Sequence, residues 1–174
     1  MRASITFAAL LVVGSTGVAA AQVVPPLERA AGVCTDCAPD GWFVASPSPD
    51  VIVGNGPWPG GTYAVEAVDG GIAGANTTLL LSNTSVSEAV GTTITGLTAG
   101  TTYTLSIAYQ GCTLFDSARA TTYINGNMVA TVNGVPTTFT SAPGDTWTLA
   151  SVTFVASGAT ASLSFANTAT NSTG

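Results

Sequence analysis

Residues 96–110 read GLTAGTTYTLSIAYQ. Tyr103, Leu105, Ile107 and Tyr109 alternate with Thr102, Thr104, Ser106 and Ala108. A period of two puts the first set on one face of a strand and the second set on the other. The preceding Gly96 to Gly100 segment is a turn that launches the strand. One buried face and one polar face describe a strand of an antiparallel sheet.

The pattern recurs along the chain. Gly41 to Ser46, with Trp42 and Phe43, is the first candidate strand, and Val51 to Val53 opens the next after a turn at Ser46 to Asp50. Tyr63 to Val68 alternates weakly. Leu79-Leu80-Leu81 is a short apolar run, and Val86 to Ile94 follows as a β-rich segment around Glu88. Gly111 to Ser117 reads as a loop. Ala120 to Ile124 and Met128 to Val132 are flanked by Asn125-Gly126 and Asn133-Gly134, and Asn-Gly is a strong hairpin signal. Val135, Thr137 and Phe139 share a face, and SAPGD (Ser141 to Asp145) reads as a turn. Trp147 to Val155 changes apolar parity partway, which predicts a bulge near Ala150. Ala161, Leu163 and Phe165 alternate with serines in the last strand. No helical period of useful length follows residue 21. Roughly eight to ten short strands predict an all-β fold, an antiparallel β-sandwich of jelly-roll type.

The first residues, MRASITFAALLVVGSTGVAAAQ, have the form of an export leader. Arg2 is the positive region, Ile5 to Val13 an apolar core too short to span a bilayer, and Ala19 to Ala21 the cleavage site. Residues 1–21 are thus expected to be removed, leaving a secreted or cell-surface chain with no membrane insertion. Residues 22–40 form an irregular lead-in, 41–166 the sandwich and 167–174 a tail. Past the leader the only cations are Arg29 and Arg119, against nine acids, and the chain has no histidine. Nucleic-acid binding needs phosphate-neutralising lysines and arginines, so it is excluded.

Three cysteines, Cys34, Cys37 and Cys112, fit one disulfide in an oxidising compartment. Cys37 to Cys112 would pin the lead-in to the sandwich, and Cys34 to Cys37 would close a small loop. The CTDC spacing lacks a second pair or a histidine for zinc and a βαβ context for redox chemistry. No metal site is expected.

Several phrases together resemble a known family: Gly41-Trp42, Ser48-Pro49-Asp50, Trp58 in a proline and glycine loop, GLTAGTTYTLS, DTWTLASVTF (145–154) and ATASLSFAN (159–167). They resemble the galactose-binding-domain-like jelly rolls of secreted, mostly bacterial, cell-surface proteins, which are similar to carbohydrate-binding modules. The resemblance spans about residues 41 to 166. It implies a glycan ligand, held by aromatic stacking and a few hydrogen bonds. The chain departs from the family at both ends. LERAAGVCTDC stands where an Asn-Gly-x-Phe-Glu phrase is usual, and NTATNSTG where a closing strand with Asp-Val is usual. Those departures argue against the family's structural calcium and leave a sheet edge open to partners.

The candidate ligand residues follow from sugar chemistry, in which apolar C–H faces stack on aromatic rings and hydroxyls take polar partners. Trp58, between two prolines, and Tyr63 supply rings. Asp50, Glu66 and Asp116 supply acceptors, and Arg119 supplies donors. Trp42 and Trp147 belong to strand patterns and are expected in the core. No carboxylate pair is singled out for glycoside hydrolysis, and no Ser-His or Cys-His pair can exist without histidine. Neither catalysis nor a cofactor is expected. Asn76, Asn83 and Asn171 head glycosylation sequons. The residues thus predict a non-catalytic carbohydrate-binding module. The alternative is a structural or adhesive protein that self-associates or docks through an open sheet edge.

Overall fold

The computed structural model describes residues 3–11, 24–25, 27, 29, 31, 34–47, 49–53, 77–83, 87–111, 113–116, 119–123, 125–143 and 148–168. Among them are twelve strands and no helix. In chain order these are β1 (Ala3–Leu11), β2 (Phe43–Ser46), β3 (Asp50–Val53), β4 (Thr77–Asn83), β5 (Ala89–Thr95) and β6 (Thr102–Gly111). There follow β7 (Thr113–Asp116), β8 (Arg119–Tyr123), β9 (Asn125–Val132), β10 (Val135–Pro143), β11 (Thr148–Val155) and β12 (Thr160–Asn167). One five-stranded sheet has the order β11-β6-β1-β4-β3 and the other β10-β9-β12-β5-β2, while β7 and β8 form a hairpin. All the strand pairs are antiparallel. The two sheets share one core, the arrangement of a β-sandwich.

The alternation in β6 sets that core. Tyr103, Leu105, Ile107 and Tyr109 are all buried, as their period predicts. Met128, Ala130 and Val132 of β9 and Ala161, Leu163 and Phe165 of β12 meet them from the other sheet. Tyr109 lies 6.3 Å from Phe139 of β10, ring centre to ring centre, across the two sheets. Trp42 stacks on Phe165 at 5.4 Å. Its indole N–H donates to the Pro25 carbonyl at 3.1 Å, which ties the lead-in to the core.

The turns follow their sequence chemistry. Gly96 and Gly100 hold φ of 75° and 79°. The Gly100 and Ala156 amides are bonded across to Ala156 and Thr101, so the turn is anchored to the end of β11. The Tyr103 hydroxyl accepts from the Thr98 amide at 2.9 Å. Asn133 and Gly134 hold φ of 49° and 79°, and a two-residue hairpin of this kind requires both to be positive. The Asn133 side chain also accepts from the Ser162 amide of β12.

Four local expectations change. Asn125-Gly126 is not a turn. It opens β9, because β8 pairs with β7 and leaves no strand to close a hairpin there. Thr113–Asp116 is strand where a loop was expected. Ser141 to Pro143 extend β10, a sheet end where a residue without an N–H is tolerated. The register of β11 against β6 runs unbroken from Thr148 to Val155, so there is no bulge at Ala150. The parity change has a different cause: Leu149 faces solvent at 73 % exposure while Ala150 and Val152 face the core.

β1 lies within the segment expected as a leader, yet it occupies the middle of the first sheet between β4 and β6. The sheet therefore ends at β11 and β3.

Two outcomes test this packing. Phe165→Ala removes a fully buried ring and should destabilise the fold by about 3–5 kcal/mol, whereas Thr153→Ala on the exposed face should change it by less than about 0.5 kcal/mol in urea unfolding. Burial raises the Tyr109 phenol above its ordinary value of 10.0. The unfolded chain then loses that proton first as pH rises, so stability should fall above about pH 10. Tyr109→Phe should make that alkaline limb shallower in pH-resolved thermal melts.

Candidate functional site

Asp50 is the first of the expected ligand residues to have a clear place. It opens β3 and is 6 % exposed. Its Oδ1 accepts from the Asp36 amide at 3.0 Å. Asp36 carries a positive φ of 56° inside the CTDC loop. The loop is strapped to β3 by reciprocal Cys34 and Val51 backbone bonds, and by the Cys37 amide on the Pro49 carbonyl. Asp50 thus stabilises a turn through a charge-assisted hydrogen bond.

That loop holds the disulfide, Cys34 to Cys37, with Cα atoms 6.1 Å apart. The first expected pairing, Cys37 to Cys112, is corrected by this bond, since Cys37 has one sulfur to share. The tight turn at Asp36 brings the two cysteines of CTDC together. Cys112 itself lies outside the described residues.

Asp116 and Arg119 are opposed in the β7–β8 register, at the closed end of that hairpin. Trp58, Tyr63 and Glu66 lie outside the described residues, as does Trp147. Trp42 is in the core, as expected. The structure therefore brings Asp116 beside Arg119 along the chain and places Asp50 in a separate, buried role.

The sequence reading missed a polar clamp between the sheets. Asn167, at the end of β12, is fully buried, and its Nδ2 donates to the Leu81 carbonyl of β4 at 2.9 Å. Its amide donates to the Glu88 carbonyl, and its carbonyl accepts from the Ser87 hydroxyl. Glu88 is buried here too. In sequence Asn167 looked like the start of a polar tail.

Also missed was the distribution of exposed apolar groups. Among the described residues the large exposed hydrophobics are Phe43 and Val44 on β2, Val135 on β10, and Leu149 and Val155 on β11. β2, β10 and β11 are all end strands of their sheets. None of the three carries a charged residue. The fourth end strand, β3, is covered at Val51 by Cys34. Phe43 lies over Gly91 of the neighbouring β5, where any Cβ would collide with the ring. Its 60 % exposure leaves an aromatic surface for contact.

Among the described residues no group of three or more His, Cys, Asp or Glu is gathered to hold a metal ion. No helix among them is long and apolar enough to cross a membrane. No protein-family model, curated protein or solved structure matches this chain.

Asp50→Ala should leave the Asp36 amide unsatisfied and cost about 1–3 kcal/mol in chemical denaturation. Asp50→Asn keeps an acceptor and should recover most of that loss. A sugar-contact role would instead alter glycan binding with stability unchanged.

Proposed function

We propose that this chain is a secreted, non-catalytic jelly-roll module that docks through a sheet edge, as a structural or adhesive extracellular protein. The observation that carries this reading is that the large exposed hydrophobics among the described residues all lie on end strands. Unpaired edge N–H and C=O groups are templates for another strand, and proteins usually blunt them with lysine, proline or inward charge. This chain has no lysine, and β11, TLASVTFV, has neither charge nor proline. β10 carries Pro136 and Pro143, which blunt it, and β2 is only four residues long with a broken register, so β11 is the favoured docking edge. Leu149, Ser151, Thr153 and Val155 form its exposed face, with the Thr153 hydroxyl 3.3 Å from that of Thr104. The jelly-roll class is supported by successive strands that cross between sheets: β2 to β3, β4 to β5 to β6, and β10 to β11 to β12.

A second reading, carbohydrate binding by aromatic stacking, is favoured by the exposed ring of Phe43. It also draws on the sequence reading of Trp58, Tyr63 and Glu66 as ligand residues.

Sedimentation and a glycan array separate the two. Edge docking predicts concentration-dependent association, weakened by about tenfold or more in Leu149→Lys/Val155→Lys, because a charged edge must be desolvated to pair. Glycan binding that is lost in Trp58→Ala or Phe43→Ala, from a chain that stays monomeric, would replace edge docking with the carbohydrate reading.

A further inference from the structure

The middle of the first sheet is held by the part of the chain that the sequence marks for removal. β1 is antiparallel to both its neighbours, so β4 and β6 run parallel to one another with one strand between them. Ile5 and Phe7 are in register with Leu81 and Leu79 of β4. Phe7, Ala9 and Leu11 are in register with Tyr109, Ile107 and Leu105 of β6. All five of those partners are buried. Positions 5, 7, 9 and 11 are apolar, and neither wall of the slot, TTLLLSN or TYTLSIAYQG, carries a charge.

Removal of β1 leaves a gap that the sheet cannot easily close. Neighbouring strands lie about 4.8 Å apart, so β4 would have to shift by about that distance to reach β6. It is held where it is by β3, which is bridged to Cys34, and by Asn167 on the Leu81 carbonyl. Until the gap is refilled, backbone groups on both walls lack partners, and buried groups without partners are strongly disfavoured. Every other described strand already has its place in a sheet or hairpin.

We propose that the β4–β6 slot is a strand-acceptor site. The leader fills it in the precursor. After cleavage it takes an extended, uncharged segment of about seven residues, apolar at alternate positions, from a second polypeptide. This rests on the export reading of residues 1–21 and goes beyond edge docking: an edge adds a strand outside the sheet, whereas this slot admits one inside it.

The test starts from the full-length chain, with a specific protease site in place of Ala19 to Ala21. The folded chain is cut under native conditions and challenged with a labelled synthetic peptide of residues 3–11. The N-terminal fragment should stay associated on size exclusion and be displaced by excess peptide. Amides within residues 105–111 that face β1 should lose hydrogen-exchange protection when the fragment is stripped and regain it with the peptide. A peptide with serine at positions 5, 7, 9 and 11 should bind more weakly by about thirtyfold or more, since those positions are in register with buried apolar partners. If the cut chain aggregates, peptide present during cleavage should suppress it, and aggregation that persists would overturn the proposal. So would a fragment that leaves at once while β6 stays protected and no peptide binds, since the chain would then close the slot itself. Leu149→Lys/Val155→Lys should leave peptide uptake intact, which separates failure of the slot from failure of the edge.

Discussion

Strand β6 must be paired along both of its edges, and the rest of the sandwich is arranged around that requirement. Its alternate residues from Tyr103 to Tyr109 are buried under the second sheet. A backbone this deep has no water to satisfy its N–H and C=O groups, so each edge needs a partner strand. β11 supplies one from Thr102 to Tyr109, and β1 supplies the other from Leu105 to Gly111. The apolar face gives most of the driving force, because burial of large side chains contributes about 1.5–3 kcal/mol each. The pairing decides which segments must be present for that face to form.

Polar side chains finish what the strands leave open. Asn167 takes the Leu81 carbonyl just past the end of the β3–β4 ladder. Asp50 takes the Asp36 amide in the disulfide loop, and the Tyr103 hydroxyl takes the Thr98 amide below the turn. Thr92, buried in β5, donates its hydroxyl to the Gly41 carbonyl at 2.8 Å. Gly41 itself, at φ 80°, leaves no room for a Cβ against Pro25. Each bond joins segments distant in sequence or closes a turn. Such bonds fix where the sheets sit, while the apolar core alone would tolerate sliding.

The fold was legible wherever burial imposes a period. β6 and β12 could be read from alternation, and the Asn133-Gly134 hairpin from its need for two positive φ angles. The same reasoning failed at Asn125-Gly126, because a turn signal works only when both flanking strands pair with each other. It failed at Leu149 because a leucine on an exposed face looks like a shift of parity. The disulfide was open between two pairings, since cysteine spacing carries no information about the Asp36 turn that closes the loop. The candidate site was less legible still. Asp50 has the composition of a surface ligand and the environment of a structural acceptor. Only the register of β3 against Cys34 reveals which applies. The central place of β1 could not be read at all, because an apolar leader and an apolar inner strand have the same composition.

The scarcity of charge links these features. A chain with three basic residues in all, none of them lysine, cannot protect its edges by the usual placement of lysine. Threonine and serine keep the exposed faces wet without charge, as at Thr153 and Ser151 of β11. They do not repel an approaching strand, and β-branched threonine favours the extended conformation that pairing needs. The uncharged walls of β4 and β6 likewise impose no electrostatic cost on an uncharged insert. For a chain built this way, charge can do little to discriminate between pairing strands, and register is what remains. A one-residue slip sends every apolar position to the wrong face, so alternation is the code that an incoming strand must match.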